Sequence, residues 1–402
     1  MNRATYIYVL IGVVTVLLSG WRMNLSIFYP YLMNYYGISD ITPIAFSVTI
    51  SSAVAVFSSS FLGVVYDRRG STAPLYIGAL AQLVSALLVW FMKYHQWSVS
   101  MWLWYMSGVV SGVGFPALMV SINPTIIRIF STRPDIALAI VQTSNYLALT
   151  FWSPIISKMA FLTDIFAIIL VLSIVTMVVM LICARVYSTF KTVRRPQQEI
   201  QASEAVPKLF ILMLAPIFFI ATSSTMLLQF IAPIVTEFCG YFGIDTGRAL
   251  QQYVPLVMSI SGVLQSVGAF AWGFISRRIG VLKSFPLLYA SQAVATFLIV
   301  VLSGFRLEAV IVALWLRFLI FGGEPVIHMV LIPTLFGQEN LGRLLGLQTS
   351  TVMISSILGP VVGGLARDLT GTFTNTVLLS SVFSTIATVI ALVIIMAGKP
   401  KR

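Results

Sequence analysis

Residues Glu308–Gln338 read EAVIVALWLRFLIFGGEPVIHMVLIPTLFGQ. A bilayer-crossing helix needs about 20 predominantly apolar residues, and this run is long enough. It nevertheless holds Arg317, Glu324 and His328 within its apolar body. An ionisable side chain at membrane depth costs at least about 2.5–3.5 kcal/mol, so three in one span need a reason. Their spacing, i, i+7 and i+11, puts them within about 40° of one another around a helix and over about 16 Å of rise. One face therefore carries a cation, an acid and an imidazole. Gly322, Gly323 and Pro325 beside the acid predict a bend or a local opening there.

The rest of the chain belongs to the same physical class. Of its 402 residues 58% are hydrophobic and only 9% charged, against about 25% charged in soluble domains. Apolar spans are expected at 6–33, 42–65, 72–92, 99–127, 136–157 and 162–186, and again at 208–236, 251–275, 283–303, 308–336, 344–366 and 373–397. A polar, basic connector with Lys191, Arg194, Arg195, Pro196, Glu199 and Glu204 separates the two sets. The expected organisation is a six-helix bundle over 1–186, a linker over 187–207 and a second six-helix bundle over 208–402, with no separate soluble domain. The first apolar segment runs on into Arg22, so no cleavable signal peptide is expected. Cys183 and Cys239 lie in different apolar segments and read as packing residues.

The net charge of +12 is spread over loops and is not a nucleic-acid footprint. With the N-terminus inside, 17 Lys and Arg residues fall on the cytoplasmic side and 5 on the other, and two, Arg22 and Arg317, lie within spans. Cytoplasmic loops are enriched in positive charge, so both termini and the connector are expected in the cytoplasm of a multi-pass protein of the cell membrane.

The halves repeat one another. Gly63-Val-Val-Tyr-Asp-Arg-Arg-Gly70 closes span 2 and Gly273-Phe-Ile-Ser-Arg-Arg-Ile-Gly280 closes span 8, at an offset of 210. In spans 4 and 10, Gly114, Pro116, Pro124 and Thr125 match Gly323, Pro325, Pro333 and Thr334 at an offset of 209. Such internal repeats are a transporter signature. On these residues the chain resembles the major facilitator superfamily. That resemblance implies an all-α membrane protein of twelve transmembrane helices in two pseudo-symmetric bundles. Narrower features resemble its monocarboxylate transporter and oxalate/formate antiporter branch: Gly20-Trp21-Arg22 with Phe28-Tyr29-Pro30, Arg133-Pro-Asp-Ile-Ala137, Gly342-Arg-Leu-Leu-Gly346, and Gly359-Pro360 with Asp368-Leu-Thr-Gly371. The chain departs from that branch in having no arginine in span 8 and no lysine in span 11.

The resemblance also implies a central cavity lined by spans 1, 4, 7 and 10. Arg22, near the middle of span 1, has no acidic residue within the apolar bodies of spans 1–6, which favours an anionic ligand, because guanidinium pairs with carboxylate bidentately. Arg317 is the second candidate for carboxylate. At the repeat offset, Arg317, Glu324 and His328 match Gly108, Phe115 and Met119, so the fold itself does not demand charge there. Glu324 is the candidate proton site, since burial and a nearby arginine pull its affinity for protons in opposite directions. His328 is its candidate relay or a substrate ligand. Asn24, Tyr29, Tyr105, Asn123, Gln229, Asn145 and Gln348 are further candidate lining residues. Asp67, Arg68, Arg69, Arg277 and Arg278 suggest a gating latch between helix ends that favours the outward-open state.

The expected function is secondary active transport of a small organic anion by alternating access, proton-coupled or by anion exchange. Monocarboxylates such as lactate or pyruvate, or a dicarboxylate such as oxalate, are the expected cargo. The competing expectation is proton-driven efflux of amphipathic or cationic compounds. No zinc-binding histidine pair, phosphate-cradling glycine loop or nucleophile elbow supports an enzyme. No cofactor, resident metal or nucleic-acid partner is expected. The expected partners are the anion, a proton or exchanged anion and the bilayer, and the protein is expected to be a monomer.

Overall fold

The computed structural model describes residues 3–129, 134–189, 208–336 and 341–397. Among them there is no strand. Twelve spans follow one another: Tyr6–Tyr36, Thr42–Arg69, Thr72–Met92, Trp97–Ile129, Pro134–Leu162 and Ile165–Ser188, then Lys208–Tyr241, Thr246–Ile279, Val281–Leu302, Leu307–Phe336, Leu341–Thr370 and Phe373–Ala397. Among the described residues, 11 helices are long and apolar enough to cross a membrane; the fifth span, Pro134–Leu162, is a helix of 29 residues.

Several spans outrun the apolar stretches that announce them. Span 2 continues to Arg69 and span 8 to Ile279, because a helix keeps satisfying its own backbone after its side chains turn polar. Arg68, Arg69, Arg277 and Arg278 occupy those last turns, where a helix favours positive charge. Each helix is stopped by a left-handed glycine, Gly70 at φ 79° and Gly280 at φ 84°, a conformation other residues resist. The sequence repeat at these positions is therefore a repeat of helix stops.

Two spans are broken. Span 10 splits into Leu307–Phe321 and Glu324–Phe336 at the glycine pair. Pro325 is second in the new helix, where its missing N–H costs nothing, and Glu324 opens it, where the positive end of the helix dipole favours an acid. Span 1 is interrupted as well: Gly20–Ile27 winds as a 3-10 helix between two α-helical pieces. There the chain crosses span 5 closely: a Cβ on Gly20 would lie 2.3 Å from the Ala148 Cβ. The tighter winding accommodates that approach.

The apolar packing shows how the halves meet. One core, with Trp21, Phe28, Ile44, Leu149, Phe230 and Val257, runs across both halves at the end away from the termini. At the terminus-bearing end the packing divides into separate clusters, one in the N-terminal half around Leu75 and Ile122 and two in the C-terminal half, around Phe285 and Leu331 and around Phe210. Hydrogen bonds agree. Thr150 donates to the Ser259 carbonyl at 2.7 Å and Ser259 returns a bond to the Thr150 carbonyl at 3.2 Å, joining spans 5 and 8. Thr49 of span 2 donates to the Ile357 carbonyl of span 11 at 3.2 Å. Among the described residues no hydrogen bond joins the halves nearer the termini. Among the described residues the halves are thus fastened to one another at the distal end, while their apolar clusters stay separate at the other.

Span 8 also packs hard against the break in span 10. A Cβ on Gly268 would lie 1.8 Å from the Leu319 carbonyl oxygen. Gly268→Ala is expected to destabilise by about 1–3 kcal/mol, the usual cost of overpacking. Thermal unfolding in detergent checks this, with Gly63→Ala as the control, since nothing lies within 4 Å of a Cβ there. Equal melting of the two variants would contradict the tight crossing.

Candidate functional site

Each half holds one polar network inside its own bundle. In the N-terminal half the 3-10 segment of span 1 presents Arg22, which is half-buried. Its guanidinium donates to the Ser111 hydroxyl of span 4 at 2.6 Å and to Gln82 Oε1 of span 3 at 3.5 Å. Gln82 has room because span 4 has glycine opposite: a Cβ on Gly114 would lie 2.2 Å from Gln82 Nε2. A small cavity of about 20 Å³ adjoins Arg22, lined among others by Trp21, Ser47, Ser85, Trp104 and Ser107. That is room for about one water. No carboxylate pairs with Arg22 among the described residues, where the ion pairs are Lys93–Asp164 and Arg367–Asp368.

The C-terminal half answers its arginine with an acid. Arg317 is 1% exposed and Glu324 5%. Arg317 donates through Nε to Thr296 of span 9 at 2.9 Å and through a terminal nitrogen to Ser224 of span 7 at 3.0 Å. Ser224 donates in turn to Glu324 at 2.9 Å, and Gln292 Nε2 donates to the same carboxylate oxygen at 3.3 Å. The serine hydroxyl thus bridges cation and acid. His328 does not bond Glu324: its Nε2 meets the Tyr289 hydroxyl of span 9 at 2.6 Å.

Arg317, Glu324 and His328 of span 10 all lie in the interior of the C-terminal bundle, the first two in one network and His328 on Tyr289. The expectation that Arg22 and Arg317 face one central cavity is not met in this conformation. Each is drawn instead into hydroxyl and amide groups of its own half, which solvate a cation better than an apolar interhelical space does. Asn24 is fully buried, and neither its amide nitrogen nor its oxygen has a partner among the described residues; the Tyr29 hydroxyl is buried and unpartnered too, its ring 6.4 Å from Phe230 across the halves. Asn123, Asn145 and Gln348 each keep a buried, unpartnered amide oxygen. Gln229 is half-buried. Tyr105 packs against Phe46 and Trp102. Asp67, Arg68, Arg69, Arg277 and Arg278 are exposed and form no ion pair with one another; Arg278 stacks on Phe274 of its own helix.

Gln82, Ser111, Ser224, Gln292 and Thr296 complete the two networks and were not singled out in the sequence. One signal was available: Gln82 and Gln292 are 210 positions apart, the offset of the helix-end repeat. The serines and threonine carried none, since such residues are common in membrane helices for packing alone.

Comparison with known proteins bears on this arrangement. The Major Facilitator Superfamily model matches residues 10–327 and 251–402. No curated protein matches the chain. Among solved structures, a bacterial homologue of the iron transporter ferroportin in its inward-facing state superposes with a TM-score of 0.74 at 12% identity, covering 98% of this chain and 100% of that one. That likeness is one of fold. Twelve spans in two repeated halves and a family match running through nearly the whole length lead to one conclusion: the chain belongs to the Major Facilitator Superfamily and is a multi-pass membrane transporter.

Proposed function

We propose that this transporter carries a small organic anion of the monocarboxylate or small dicarboxylate type, with Arg22 as its anchor. The observation that carries the reading is the contrast between the two arginines at membrane depth. Arg317 has Glu324 behind Ser224, whereas Arg22 has only neutral partners. A cation held at membrane depth without an acid is costly, and a carboxylate ligand relieves that cost while offering two acceptors in guanidinium geometry. The segment Gly20-Trp21-Arg22, which resembles the monocarboxylate and oxalate/formate branch, supports the same choice. The likeness to a homologue of the iron transporter ferroportin, at 12% identity, is one of fold and does not carry that protein's cargo to this chain.

Glu324 serves as the coupling site in this reading. Protonation would release Ser224 and Gln292 and leave Arg317 without its counter-charge, so one proton re-sorts the whole network. His328 and Tyr289 lie one turn closer to the terminus-bearing end and form the relay toward it. Both termini face the cytoplasm of the cell membrane, by the distribution of basic residues. Asp67 and the paired arginines at the ends of spans 2 and 8 engage when that end closes.

Uptake of labelled lactate, pyruvate and oxalate into proteoliposomes, with and without a pH gradient, tests the proposal. Saturable uptake is expected, competed by unlabelled carboxylates and not by hydrophobic cations. Competition only by the cations would replace anion transport with efflux of amphipathic compounds.

A further inference from the structure

The distal closure has a specific fastener, built from residues that no transport role has used. The Asp368 carboxylate, at the distal end of span 11, reaches across to the other half. Its Oδ1 accepts from the Ile41 backbone N–H at 3.0 Å and its Oδ2 from Thr42 at 2.9 Å. Those two amides open span 2, whose N-cap, Ile41, offers no side-chain cap of its own. The first N–H groups of a helix have no intrahelical acceptor and carry the positive end of its dipole. The cap that span 2 lacks locally is thus supplied by the opposite half. Arg367 extends the contact, donating to the Ser39 carbonyl at 2.6 Å and to Asp368 at 3.3 Å. The backbones are close enough that a Cβ on Gly364 would lie 2.7 Å from Thr42 Oγ1 and 3.2 Å from its Cα.

We propose that Asp368 and Arg367 form a latch that holds the distal end shut and must open once in every transport cycle. Charge-assisted bonds from backbone amides to a carboxylate are among the stronger hydrogen bonds, so their loss shifts a two-state balance measurably. When the distal end opens, the span 2 amides and Asp368 are both freed to water, so the latch can reform on each return. The inference rests on the contact between the halves and is independent of the cargo.

The test is a distance measurement on the full-length protein in nanodiscs without substrate. Spin labels are placed at Tyr94→Cys and Phe305→Cys, both exposed at the distal end and on opposite halves. Asp368→Asn is expected to raise the distal-open, long-distance population at least about tenfold, equivalent to about 1.4 kcal/mol. Arg367→Gln, which leaves the carboxylate in place, is expected to give a smaller shift in the same direction. If Asp368→Asn does not yield folded protein, Gly364→Val, which wedges span 11 away from Thr42, must produce the long-distance population. Distance distributions unchanged from the parent in whichever of these variants folds would overturn the latch.

Discussion

Arg22→Gln is expected to lower carboxylate uptake by about 10- to 150-fold, the range that corresponds to losing charged hydrogen bonds worth about 1.5–3 kcal/mol. Arg22→Lys should recover only part of the activity, since an ammonium offers a point charge in place of a planar fork. The melting temperature should hardly move. Arg22 is half-buried and bonds only neutral groups, so its removal strands no buried charge. That separation of transport from stability distinguishes a ligand-meeting arginine from a structural one. Full uptake by Arg22→Gln would remove the anion anchor, and a collapse in melting temperature would make the residue part of the scaffold.

The C-terminal network should behave in the opposite way. Arg317→Leu leaves Glu324 buried beside Ser224 and Gln292 with no counter-charge, and breaking a buried pair from one side costs about 3–5 kcal/mol. Adding Glu324→Leu should return most of that loss, because replacing both members by apolar groups removes the stranded charge. Thermal unfolding of the two single variants and the double variant in detergent reads the coupling directly. Additive effects would mean that Ser224 does not link the two charges. Transport provides the second readout: Glu324→Gln should abolish the response of uptake to a pH gradient while leaving exchange of one carboxylate for another. Retained pH-driven accumulation in Glu324→Gln would place the proton site elsewhere.

The two arginines illustrate how far residue chemistry carries without coordinates. Both stand out in the sequence because oil penalises charge anywhere along a span, whatever surrounds it. Their different situations do not, because the groups that distinguish them arrive from spans 3, 4, 7 and 9: Gln82 and Ser111 for one, Ser224, Gln292 and Thr296 for the other. The break at Gly322–Gly323 is visible in composition. The break at Gly20 is not, because its cause lies in Ala148, more than a hundred residues away. Asp368 likewise reads as an ordinary polar helix end until span 2 is set against it.

What the sequence determined alone was the membrane class, the twelve spans, the repeat of the halves and the identity of the charged residues at depth. The class, the spans and the charges at depth follow from the cost of placing polar groups in hydrocarbon, which is paid residue by residue, and the repeat follows from matched glycines, prolines and arginines. Tertiary structure alone decided which bundle each charge faces, which acid answers which arginine and where the halves are fastened. Those outcomes depend on hydrogen-bond partners contributed by distant segments, and a hydroxyl or amide shows no sign in the sequence of the partner it will meet.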